Sequence, residues 1–320
     1  MAGGASTPDL VIAAAGAGAL GFLAGGYKAG EALAGEMTAV RAATGEPFGV
    51  NLFVPGPPAA DPEAVASYLE SLRPEAEASG CELGEPTWDD DRWEEKLSVL
   101  LADPPPVVSF TFGCPEREII EAFCHAGSLV VVTVTTPDEA RIAADRGAGA
   151  LCVQGAEAGG HRGSFSADSE EDHPLVDLLQ RVAGVTDLPQ IAAGGLSGGD
   201  GVRRVLAAGA VAAQCGTAFL RCPESGASAA HQAALVAGVH TTTAITRAFS
   251  GRRARGLRNR FMLDHPDAPA AYPEINHATR PLRAAAAASG DTESMSLWAG
   301  QGFRWASDRP AGEIVEMLSP

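Results

Sequence analysis

Leu151 to Gly163, LCVQGAEAGGHRG, holds the residues best suited to chemistry: a short apolar run ends at Gln154, and a glycine-rich turn follows with His161 and Arg162. Imidazole titrates near neutrality, and the flanking Gly159 and Gly160 let a small molecule approach the ring, so His161 reads as a proton-transfer residue. Arg162 reads as a solvated neighbour. His125, His173, His231, His240, His265 and His277 lack such a setting and read as structural.

A second stretch, Gln190 to Leu220 (QIAAGGLSGGDGVRRVLAAGAVAAQCGTAFL), looks built to hold something beside the first. Gly194 and Gly195 follow one apolar run and precede a helix, and Gln214, Cys215, Gly216 and Thr217 close the next run. Bare amides backed by a helix N-terminus form a phosphate cradle. That the glycines only turn the chain stays open as the plainer reading.

These loops need a scaffold with many strand ends on one side, and the sequence describes one. The spacing predicts helices at Pro8–Ala15, Glu31–Ala42, Pro62–Ala78, Pro115–His125, Pro137–Arg146, Pro174–Val182 and Gly199–Ala208. Between them lie apolar strands at Gly18–Ala24, Phe48–Val54, Val107–Phe112, Leu129–Val134, Ala150–Val153, Gln190–Ala192 and Val211–Ala213. Alternating βα units with wholly apolar strands imply a parallel sheet covered by helices, and a closed (β/α)8 barrel is the natural architecture. Only seven strands are visible, as if a first strand preceded Met1. In such a barrel reactive groups gather at the C-terminal strand ends, where Asn51, Thr111, Cys114, Thr133, Thr135 and Gln154 also fall.

GAGALG at Gly16 to Gly21 satisfies a dinucleotide fingerprint, but a Ser6-Thr7-Pro8 helix start precedes it. The order becomes helix, glycines, strand, the reverse of what the fingerprint needs. Beyond Leu220 the rhythm stops, and Ala284–Ala288 reads as an alanine helix in an added helical segment. The expected division is a barrel over residues 1–220 with 310–320 packed back on it, and a helical substrate-binding cap over 221–309.

A net charge of −17 on 320 residues argues against nucleic acid or an anionic membrane as a partner. The basic run Arg252 to Arg260, RRARGLRNR, is the local exception, either a solvated or internally paired segment or one facing an anion. Six cysteines without a CxxC pair, no basic leader and no convincing membrane span read as a reduced cytoplasmic protein. No metal site is expected, and an oligomer is compatible with the sequence.

VQGAEAGGHRG, AAGGLSGG, QCGTAFL, GVNLFVP, TFGCP, TVTTPDEA and RGLRNRF together resemble the nitronate monooxygenases, formerly 2-nitropropane dioxygenases, over nearly the whole chain. The resemblance implies a TIM barrel with an appended mainly helical domain, bound FMN, and oxidation of nitronates or nitroalkanes by O2 to a carbonyl compound and nitrite. It implies FMN contacts at Asn51, Gln154, Gly159, Gly160, Gly194, Gly195 and Gln214 to Thr217, with His161 as the base. Members carry a strand ending in a PMAGG-like turn that lines the flavin, and Met1, Ala2 and Gly3 match its end. Two alternatives accompany this reading: an NAD(P)H-dependent flavin reductase of the quinone or enoyl-thioester type, and a non-catalytic flavin or phosphate binder.

Overall fold

The computed structural model describes residues 1–320. Thr7 caps the first helix, α1 (Pro8–Gly16), by accepting from the Leu10 amide, with Pro8 in the first turn. Then come β1 (Phe22–Ala24), α2 (Gly30–Ala43), β2 (Gly49–Phe53), α3 (Pro62–Ser71), α4 (Arg73–Ala78), α5 (Trp93–Ala102) and β3 (Val107–Thr111). They lead into α6 (Arg117–His125), β4 (Leu129–Val134), α7 (Pro137–Asp145), β5 (Ala150–Gln154), β6 (Gly160–His161), α8 (Leu175–Ala183), β7 (Gln190–Ala193), α9 (Gly199–Ala207) and β8 (Ala212–Gln214).

Seven strands form one curled parallel sheet in the order β1-β2-β3-β4-β5-β7-β8, and β1 and β8 do not pair with each other. The barrel is therefore open along a seam. Helices cover the outer face, and 32 buried residues, from Val11 to Ala210, form the layer between sheet and helices. Small side chains such as Val131, Ala150, Cys152 and Ala193 make a separate cluster.

Three local expectations need correction. The first strand is shorter than Gly18–Ala24, because the Ala17, Gly18 and Ala19 amides still bond back to Ala14 and Ala15 and terminate α1. The helix expected over Pro62–Ala78 breaks at Leu72, with Pro74 in the first turn of its second half. Helix α5 lies outside the expected elements; its buried face is Trp93, Lys96, Leu97 and Leu100.

Beyond Leu220 the chain adds α10 (Ala229–Ala234), β9 (Thr243–Thr246), β10 (Ala254–Leu257), α11 (Arg260–Asp264), α12 (Glu274–Ala278), α13 (Arg280–Ser289) and α14 (Ala311–Leu318). Strands β9 and β10 pair antiparallel, and β10 also pairs with β6, so that Ala254 stands opposite His161. The segment thus contains a sheet as well as helices, and that sheet reaches into the barrel's own loop. Helix α14 packs against α1 and α9. No helix is long and apolar enough to cross a membrane.

Candidate active site

The C-terminal strand ends carry a continuous polar band. The Asn51 Nδ2 donates to Ser109 Oγ at 2.8 Å and Thr111 Oγ1 at 3.0 Å, and Thr111 and Thr133 hydroxyls lie 3.2 Å apart. Across the barrel the Cys152 Sγ reaches Gln214 Oε1 at 3.7 Å. Burial pushes the Cys152 thiol up to about 12 and Cys215 up to about 11, so neither is a thiolate nucleophile at neutral pH. Because the Asn51 amide nitrogen is occupied, its oxygen, which has no protein partner, is the atom available to a ligand N–H.

Gln154 is locked. Its Oε1 accepts from Arg162 Nη1 at 3.0 Å and the Gly163 amide at 2.8 Å, while its Nε2 donates to the His161 carbonyl at 3.1 Å. Arg162 is buried, not solvated as the sequence suggested; it also donates to the Gly155 carbonyl at 2.6 Å and pairs with Asp172 at 3.3 Å. A guanidinium has five donors, and here they pin the loop that carries His161.

His161 stands among Phe112, Tyr272 and Trp298, with ring centroids 5.5 to 5.7 Å away. Its Nε2 lies 2.8 Å from Ser250 Oγ. Burial first, and then the charges of Arg252 and Arg283, hold the imidazole down to about 3. It is neutral at physiological pH. Arg252 is itself buried, stacks 4.0 Å over the Phe112 ring and donates to the Ser164 carbonyl, so one member of the basic run belongs to the site. Burial lowers Arg252 to about 10, which leaves it charged.

Phe112 reaches this position with φ of +78°, a strained conformation for a bulky side chain. At the mouth the Tyr272 hydroxyl donates to that of Tyr27 at 3.0 Å. Tyr27 too has a positive φ, +65°; its amide donates to Asp91, which pairs with the buried Lys96 at 2.7 Å.

The opposite side of the mouth is built from backbone. The amides of Gly194, Gly195 and Gly216 donate to no acceptor in the protein, and α9 begins just beyond without a side-chain cap. Gly195 adopts φ of +67°, and a Cβ there would lie 2.8 Å from the Glu157 Cβ. Met1 packs its sulfur beside Gly216, Ala2 is partly covered, and Gly3 is exposed. Thr217 Oγ1 accepts from the Gly300 amide at 3.0 Å. Gly160 is open on its Cα side. Gly159 is packed against Ala299 and Gly300, where a Cβ would come within 2.2 Å of the Gly300 nitrogen, so its missing side chain serves chain packing.

The structure gathers Asn51, Thr111, Thr133, Gln154, His161, Gly194, Gly195, Gln214 and Gly216 around one mouth. Phe112, Ser250, Tyr272 and Trp298 join them, residues to which none of the sequence motifs points. The signal available was the AFSGRR stretch leading into the basic run, and the aromatics carry no spacing of their own. A groove of about 790 Å³ beside Val65, Leu69 and Trp88 lies away from these groups.

The sequence profile described as nitronate monooxygenase matches residues 1–320. The chain belongs to the nitronate monooxygenase family. A curated nitronate monooxygenase of Pseudomonas aeruginosa is 39% identical over 98% of this chain and 92% of its own length. The crystal structure of a nitroalkane oxidase from Streptomyces ansochromogenes superposes with a TM-score of 0.96 at 50% identity, covering 99% of this chain and 92% of that one. FabK from Thermotoga maritima shares the fold at a TM-score of 0.74 and 26% identity, covering 99% and 89%. Family membership makes the chain an oxidoreductase that works with a flavin. The residues present fit that group: free amides for a phosphate, an open Asn51 oxygen for a ring N–H, and polar strand ends between them.

Proposed function

We propose that this protein oxidises alkyl nitronates, and nitroalkanes once deprotonated, with FMN as the flavin and O2 as the oxidant. Two nitronates and one O2 balance two carbonyl compounds and two nitrites. FMN supplies the one-electron redox chemistry when bound. The amides of Gly194, Gly195 and Gly216 would hold its phosphate, with Asn51, Gln154 and Gln214 to Thr217 beside it. Residues 221–309 supply Ser250, Arg252, Tyr272 and Trp298, which shape the substrate side.

The observation that carries this reading is a neutral His161 enclosed by aromatic rings and flanked by the charges of Arg252 and Arg283. That setting favours an anion, and an anion beside the ring restores its basicity. A base held near 3 removes a carbon-bound proton poorly, so nitronates are the favoured substrates and neutral nitroalkanes the slower ones.

His161→Asn tests this: nitroalkane turnover should fall by about 10²-fold or more while turnover of pre-formed nitronate largely persists. Equal loss on both substrates removes His161 as the base. Release of the pigment by heat and mass measurement identifies FMN or rejects it. Anaerobic mixing with NADH separates the reductase reading, which shares the fold, because only a reductase bleaches the flavin rapidly.

A further inference from the structure

We propose that Ser250 is a positioning residue that holds His161 in its Nε2–H form, so that Nδ1 is the nitrogen presented to the substrate. The inference rests on the reading of His161 as the base and specifies which of its atoms acts. A serine hydroxyl has one proton to give and two lone pairs to accept with. Around Ser250 Oγ stand three groups: His161 Nε2 at 2.8 Å, the Arg252 carbonyl at 3.2 Å and the Arg252 amide at 3.4 Å. The amide can only donate, and the carbonyl can only accept.

The single hydroxyl proton therefore goes either to the Arg252 carbonyl or to His161. No other group donates to that carbonyl. If the proton is spent there, Nε2 carries its own hydrogen and donates it to Ser250, and His161 Nε2, Ser250 Oγ and the Arg252 carbonyl and amide are all paired. If the proton goes to Nε2 instead, the Arg252 carbonyl is left without a donor. Burial makes such orphans costly, so the first arrangement prevails.

Nδ1 bonds to nothing in the protein, yet it is not among the sealed, unpartnered atoms. It faces open space. With a nitroalkane, Nδ1 takes the α-proton, the carbon–hydrogen electron pair stays on the substrate as the nitronate, and Nε2–H remains on Ser250. The imidazolium so formed is held in one orientation throughout, as in other base–orienter pairs.

The test uses flavin-loaded protein labelled with ¹⁵N-histidine, with the His161 signals assigned by their loss in His161→Asn. Long-range proton–nitrogen correlation should show His161 with bare Nδ1 and protonated Nε2; a protonated Nδ1 in the wild type overturns the proposal even if no variant folds. In Ser250→Ala the tautomers should mix, and the ratio of nitroalkane to nitronate kcat/KM should fall at least about tenfold. Ser250→Thr should restore both. An unchanged tautomer in Ser250→Ala, or no rescue by threonine, overturns the assignment. Failure of the base reading looks different: His161→Asn keeps its nitroalkane activity while the wild-type tautomer is still Nε2–H.

Discussion

The two sides of the barrel mouth recognise by opposite means. On the β7 and β8 side, Gly194, Gly195 and Gly216 offer unpaired amides and no side chains, so a ligand is met by the main chain. On the β5 and β6 side, Gln154, Arg162, His161, Ser250 and Arg252 are interlocked, and almost every polar atom has a protein partner. The first side is incomplete until something binds; the second is finished beforehand. A flavin phosphate suits the incomplete side, because bare amides lose little when it arrives. A proton-transfer group suits the finished side, because its orientation must not wander.

The comparison can be broken from either end. Arg162→Met should have the largest effect, about 3 kcal/mol of lost stability by urea unfolding, since it removes at once the buried charge-assisted bonds to Asp172, Gln154 and the Gly155 carbonyl that pin the loop. Gly195→Val should act on binding: the strained φ and the clash with Glu157 should leave a colourless protein by visible spectroscopy, with a smaller cost in stability of about 1–2 kcal/mol. If it binds flavin normally, the backbone side is not the cradle.

Acidification should expose the finished side. His161 is held near 3 when folded against an ordinary 6.5, so the unfolded chain binds its proton first. Its contribution is intact above about 6.5 and is lost as pH falls from there towards 3. Against His161→Phe, the wild type should lose stability more steeply in that window, in chemical unfolding series at each pH. Tyr27→Phe should do least. It removes the hydroxyl pair at the mouth, and nitronate KM should shift about two- to threefold with kcat nearly constant.

Much of the scaffold was legible because its signals are local. Thr7-Pro8 and Thr136-Pro137 announce helix starts, and Leu129 to Val134 is apolar enough to read as a strand covered on both faces. The glycine loops and His161 were legible because their residue types are unusual in sequence. What escaped was non-local. Ser250 means nothing until β10 brings it beside β6, and Arg162 looks solvated until the Gln154 side chain and carbonyl, the Gly155 carbonyl and Asp172 surround it. The strands β9 (TAIT) and β10 (ARGL) are four residues each and mix apolar with polar residues, so no apolar run betrays them. The helix α5 hid behind the acidic stretch that precedes it.

The pairing of Ala254 with His161 has a consequence for how this molecule can be divided. The histidine belongs at once to a barrel loop and to the edge of the second sheet, and its hydrogen-bond partner comes from residue 250. A fragment stopping at residue 220 would keep every glycine of the cradle and still lose the ladder, the serine that bonds the ring and the arginine that stacks over Phe112 beside it. The segment after residue 220 supplies the half of the His161 setting that the barrel strands do not carry.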